Sequence, residues 1–175
     1  MAWAQGLLQS DAPKRAGRPI KHEGDGRSPA GAFYLKEATG YAPTPPSGAT
    51  LKYHAATQQL RCVDDPESSS YNQIVNLHDN EKPTWSSDEQ MRRSDALYEL
   101  TIIVEYNRAP IARGAGSCHF LHVTSGFPTA GCTAMPLDAL RALLVWLRAE
   151  AHPILVQLPR HTYELIRDAN LPPFN

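Results

Sequence analysis

Four stretches of the chain carry the hydrophobic pattern of strands. Leu100 to Tyr106 is dense in β-branched residues (Thr101, Ile102, Ile103, Val104), which predicts a buried strand. Cys118 to Thr124 predicts a second of similar quality, Ala32 to Lys36 a short one, and Ile154 to Leu158 a last one. Helical spacing is convincing once. Leu137, Leu140, Leu143, Leu144 and Leu147 recur behind Pro136, which suits a first helical position. The pattern predicts a helix at about 136–150, ended near His152-Pro153 because proline disfavours helix in the residue before it. Pro43, Pro45 and Pro46 make 40–50 a connection, and Asp64 to Tyr71 reads as loop. The expected fold is mainly β, a β-sandwich or half-open barrel with a few helices.

Composition narrows the classes. A chain of 175 residues has the length of one domain. Hydrophobic residues at 42% and charged residues at 20% are enough for a sizeable core. With 15 Pro and 11 Gly the chain stays well below the roughly 25–30% that marks a disordered one. Seventeen basic residues against eighteen acidic leave no surplus to neutralise a phosphate backbone, so no nucleic acid is expected as partner. The longest apolar stretches, such as Leu140 to Leu147, are interrupted by charge and fall short of the ~18–20 residues of a membrane span. Met1 to Ser10 has neither a basic start nor a long apolar core, and so does not read as a secretory signal. The chain is then cytoplasmic, or a trimmed form of an exported one. Three cysteines (Cys62, Cys118, Cys132) suit either a reducing compartment or one disulfide plus one free thiol.

The chemistry concentrates in Ser117-Cys118-His119-Phe120-Leu121-His122 and the turn that follows, up to Gly131-Cys132. A strand delivers His122, and Cys132 lies ten residues later, just before the predicted helix. That loop is long enough to fold back and set imidazole beside thiol. A Cys–His pair is a nucleophile with its base, because the thiolate attacks and the thiol scarcely does. The imidazole, the nearby helix N-terminus and backbone N–H groups at Gly131 are all expected to lower the thiol pKa. The N–H groups of Gly131 and Cys132 are also the expected oxyanion hole. The same residues read as an inert cysteine and a packed core histidine where no chemistry is required. A zinc site from Cys118, His119, His122 and Cys132 is a third reading, weakened because His119 and His122 would point to opposite faces of a strand. Cys118 shares a face with His122 but lies about 13 Å along the strand, too far to be its nucleophile. Gly24-Asp25-Gly26 lacks the lysine and preceding strand of a phosphate loop and reads as a tight turn near the site. His22, His54, His78, His152 and His161 carry no partner signal and read as surface or packing residues.

These residues resemble the active site of the L,D-transpeptidase family (YkuD-like catalytic domain), in which a strand histidine precedes a Ser/Thr-x-Gly-Cys signature. Here the signature is Thr129-Ala130-Gly131-Cys132. Further segments agree in order: Lys21-His22-Glu23-Gly24-Asp25-Gly26-Arg27-Ser28-Pro29-Ala30-Gly31-Ala32-Phe33 with the family's opening motif, Cys62-Val63-Asp64-Asp65-Pro66 with Tyr71-Asn72, Glu89-Gln90-Met91 with Arg93, Asp95 and Leu97-Tyr98, Tyr106-Asn107 and Gly116-Ser117. The resemblance covers about 21–158. It implies a domain over 21–175, with 1–20 an N-terminal extension or a remnant of first strands.

The resemblance implies a peptidoglycan-modifying cysteine acyltransferase without metal or organic cofactor, whose partners are peptidoglycan stem peptides. Cys132 would attack the bond between a diamino acid and D-alanine, with His122 as base and Gly131 in the oxyanion hole. The thioester would pass to an amine of a second stem. Hydrolysis instead, as in an L,D-carboxypeptidase, and a non-catalytic cell-wall-binding module are the alternatives. Many members have His where Ala130 stands, and Arg or Asn where Ala134 stands. The substrate carboxylate is therefore assigned to Arg93 or Arg113, since a guanidinium suits bidentate binding. Thr129, Tyr71 and Asn72 are further candidate substrate contacts, the last two also reading as a turn. The implied compartment is the periplasm or cell envelope, where Cys62 and Cys118 would form a disulfide and leave Cys132 free.

Overall fold

The computed structural model describes residues 2–3 and 20–166. Ten strands and two helices lie among them, so the mainly-β expectation with few helices holds. The strands are β1 (Ala2–Trp3), β2 (Pro29–Gly40), β3 (Lys52–Ala55), β4 (Leu60–Val63), β5 (Ile74–Asn76), β6 (Asp88–Gln90), β7 (Leu100–Val104), β8 (Phe120–Val123), β9 (Thr133–Met135) and β10 (Ile154–Gln157); the helices are α1 (Leu137–Trp146) and α2 (Arg160–Ile166).

The larger sheet has seven strands and runs β1-β2-β7-β8-β9, with β3 and β10 also paired to β2. Strand β2 is long enough to serve two partners in turn. Its first half pairs with β10 (Phe33 opposite Leu155), and its second half with β7 and β3 (Thr39 opposite Thr101 and His54). The change of partner coincides with an irregularity in register between Leu35 and Ala38, where an extra residue bends the strand. β4, β5 and β6 form a second, three-stranded sheet.

Every residue of β7 is buried, because both faces of the large sheet are covered. Leu100, Ile102 and Val104 point to one side and meet Leu121 of β8 with Leu140 and Leu144 of α1. Ile103 points to the other side, with Phe120, and packs on Leu60 and Cys62 of the small sheet. Alternation along β8 therefore places Leu121 in the helix-side core and sends Phe120 and His122 to the opposite face. At the middle of the sheet the hydroxyls of Thr39 and Thr101 satisfy each other at 2.8 Å.

The helix is shorter than its leucine spacing suggests. Pro136 is its N-cap, with extended ψ, and the helix ends at Trp146. Leu147 leaves the helix with extended backbone and buries its side chain in the core. Thr50 makes that exit possible by donating its hydroxyl to Leu147 O (3.2 Å) and accepting from Ala149 N (2.9 Å). A single 3₁₀ turn, Ala149–Ala151, and a left-handed His152 complete the approach to β10. His54 also departs from expectation: its Nε2 lies 2.5 Å from a Glu37 oxygen.

Residues 4–19 lie outside the described residues, so the reading of 1–20 as an extension is addressed only by β1. Ala2 and Trp3 pair in parallel with Pro29 and Ala30 and join the large sheet. The described helices include none long and apolar enough to cross a membrane.

Candidate active site

The disulfide expected from the resemblance is present: Cys62 of β4 is bonded to Cys118 just ahead of β8, with Cα atoms 5.9 Å apart. It clamps the small sheet to the strand that carries His122 and leaves Cys132 as the free thiol. It also consumes the Cys118 thiolate that a zinc site with His119, His122 and Cys132 would need.

Cys132 sits at the end of the loop 124–132, immediately before β9. Because β9 runs parallel to β8, with His122 opposite Ala134, Cys132 comes to lie beside Phe120. The Phe120 amide donates to Sγ at 3.4 Å, and Sγ lies 3.5 Å from Cys118 O. Thr129 shapes the loop by donating its hydroxyl to Cys132 O (2.6 Å), and Ser28 donates to the same carbonyl at 3.3 Å. Gly131 adopts φ +144°, and a Cβ there would stand 3.1 Å from Arg27 O and 3.2 Å from the His119 ring. Only glycine fits both the dihedral and the space.

Cys132 and His122 line one cavity of about 550 Å³, together with Lys21, Glu23, Asp64, Glu89, Arg93, Tyr98, His119 and the loop Ser125 to Gly131. The exposed Phe127 is part of that loop. The His122 ring meets the edge of Tyr98, centroids 5.4 Å apart, and its Nδ1 lies 2.8 Å from Val123 O. Nδ1 therefore carries the hydrogen, and Nε2 is the nitrogen able to take one. Burial holds the imidazole below its ordinary pKa.

The thiol pKa corrects one expectation. Burial pushes Cys132 up to about 12, with the Glu89 carboxylate adding to it and the Phe120 amide and Lys21 acting the other way. The expected helix N-terminus is absent from the thiol because β9 and Pro136 intervene between Cys132 and α1. The resting pair is thus a neutral thiol and a neutral imidazole. Gly131 corrects part of the oxyanion-hole expectation, since its amide donates to Thr129 Oγ1 at 3.3 Å.

The other candidates separate. Arg93 reaches the cavity wall, but its guanidinium is engaged by Asp95 through Nε (2.9 Å) and Nη2 (2.5 Å). Arg113 is not among the lining residues; it donates to Pro66 O at 2.6 Å and ties down the 64–71 loop. Tyr71 is buried behind the cavity, where its hydroxyl donates to Glu23 and accepts from Gly116 N (3.1 Å). Asn72 is buried too and acts as a clamp. Its Nδ2 donates to Tyr106 O (2.9 Å) and Asn107 O (2.7 Å), and its Oδ1 accepts from Cys118 N (2.9 Å). Neither Tyr71 nor Asn72 lines the cavity; both hold residues that do.

Sequence reasoning gave no role to Lys21, Glu23, Asp64, Glu89 or Tyr98, and considered His119 only as a zinc ligand; all six line the cavity. Lys21 and Asp25 form a buried ion pair at 2.7 Å, with side chains 3% and 2% exposed. Asp25 also accepts from His22 N and Arg27 N, which makes Gly24-Asp25-Gly26 the expected tight turn and brings Gly24 to the cavity. The signal for these residues lay in the motif segments themselves, where several stood without an assigned chemistry.

No family model, curated protein or solved structure matches this chain.

Proposed function

We propose that this protein is a cysteine acyltransferase of L,D-transpeptidase type acting on peptidoglycan stem peptides in the cell envelope. The observation that carries the reading is the meeting of the free thiol of Cys132 and the imidazole of His122 in one cavity behind the Thr129-Ala130-Gly131-Cys132 loop. The Cys62–Cys118 disulfide supports an oxidising compartment.

In this reading the substrate is a stem whose third residue is a diamino acid followed by D-alanine. A neutral thiol near neutral pH cannot attack unaided, so its proton passes to His122 Nε2 as the sulfur adds to the carbonyl carbon. The carbon–nitrogen bond then breaks, the proton is returned to the departing amine, and D-alanine leaves a thioester on Cys132. An amine of a second stem attacks that thioester, giving a new amide and restoring the thiol. The Cys132 amide, at the same turn, is the donor best suited to the developing oxyanion.

The test is mass spectrometry of a purified disaccharide-tetrapeptide incubated with the protein and with its Cys132→Ala variant. Release of D-alanine by the native protein alone supports the thiol chemistry, and a cross-linked dimer identifies transpeptidation. Release without a dimer identifies the carboxypeptidase outcome. Identical spectra from both proteins and the untreated stem sink the enzymatic reading.

A further inference from the structure

One wall of the Cys132 cavity is acidic. Glu23, Asp64 and Glu89 all line it, and none has an ion-pair partner among the described residues. Neutral donors hold all three in part: Glu23 accepts from the Tyr71 and Ser117 hydroxyls, Glu89 from the Tyr98 hydroxyl, and Asp64 from the Ser87 side chain. Asp64 Oδ1 is buried with no hydrogen-bond partner. The neighbouring cations are committed elsewhere, Lys21 to Asp25, Arg93 to Asp95 and Arg61 to Asp88. Burial and mutual repulsion raise the carboxyl groups of Asp64 and Glu89 above their ordinary range.

A different residue type gives an independent signal. His119 lines the same cavity and is 8% exposed; neither ring nitrogen has a hydrogen bond of ordinary geometry, the Gly131 backbone meeting the ring only loosely. Burial and the Lys21 ammonium take its pKa down to about 4, so near neutral pH it presents a lone pair. Leaving such groups unpaired is unfavourable, because each has given up its hydrogen bonds to water. A bare carboxylate oxygen and a bare imidazole in one cavity match a ligand rich in N–H donors, and the excess negative charge matches a positive one.

We propose that Glu23, Asp64, Glu89 and His119 form a subsite for a primary ammonium group, whose three N–H donors reach these acceptors. This rests on the reading of Cys132 as a nucleophile and deepens it, because the subsite adjoins the thiol. Glu89 opposes ionisation of Cys132, so a cation seated against Glu89 favours the thiolate. Binding and activation are thereby coupled. The ammonium belongs either to the side chain of the stem that is cleaved or to the acceptor that resolves the thioester.

Cys132 is the free thiol, so iodoacetamide labelling followed by mass spectrometry reads it directly. On the native protein near neutral pH, n-butylammonium chloride is expected to speed labelling about tenfold over potassium chloride or butan-1-ol. Asp64→Asn and Glu89→Gln are each expected to abolish the acceleration, and Glu89→Asp to restore part of it. Labelling no faster with butylammonium than with potassium on the native chain overturns the proposal, as does an acceleration that survives in both carboxamide variants. The source follows from a stem tetrapeptide with its side-chain amine acetylated. Slower thioester formation assigns the subsite to the cleaved stem, and unchanged thioester formation with lost cross-linking assigns it to the acceptor. No change in either overturns the proposal. Failure of the nucleophile reading shows separately, as absence of D-alanine release, and leaves the labelling comparison intact.

Discussion

The backbone N–H of Phe120 points at the sulfur of Cys132 from 3.4 Å. This contact joins a residue at the end of a ten-residue excursion to the strand that holds His122, two positions further along. The thiol is therefore fixed by the sheet, and its position does not depend on the loop alone.

The first expectation concerns that pair. Cys132→Ala should abolish thioester formation with a stem tetrapeptide. His122→Gln should slow it by about 10²–10⁴-fold, the range for losing a general base. Intact-mass measurement of the acylated protein over time checks both. Equal rates in His122→Gln and native protein would remove His122 from the mechanism.

The thiol should also report its burial through pH. With its pKa pushed up to about 12, Cys132 stays protonated in the folded state where an unfolded thiol ionises near 9.0. Folding therefore retains a proton that the unfolded chain releases, and stability falls as pH rises from about 9 towards 12. Denaturant unfolding across that interval, compared with Cys132→Ser, should show a slope that the variant lacks.

Reducing the Cys62–Cys118 bond frees β4 from the segment that leads into β8. Removing a native disulfide typically costs about 2–5 kcal/mol. The Cys62→Ala, Cys118→Ala double variant should lower the unfolding midpoint in urea accordingly. Thiol titration of the denatured native chain should find one reactive group before reduction and three after.

Gly131→Ala puts a methyl against Arg27 O and the His119 ring at a φ of +144°. Such backbone costs about 1–3 kcal/mol, and the loop can escape only by moving Cys132. The expected outcome is near-complete loss of thioester formation with a much smaller loss of global stability. A variant as active as the native protein would show that the loop tolerates a side chain.

The sequence by itself determined the central strands, the longer helix and the candidate nucleophile. The β-branched run Thr101 to Val104, the leucines of α1, and Gly131-Cys132 after a strand histidine are local patterns, because period and turn chemistry act over a few residues. The helix end was less legible: Leu147 keeps the helical spacing, yet Thr50, almost a hundred positions away, draws it out of the helix. Tertiary structure alone decided what surrounds the thiol. Whether Tyr71 and Asn72 line the cavity or stand behind it, and that Glu23, Asp64, Glu89 and His119 all line it, depend on contacts between distant segments. The pKa of Cys132 belongs to the same class. Sequence shows an imidazole, a glycine turn and a helix nearby, but desolvation and the field of Glu89 exist only once the chain has closed around the sulfur.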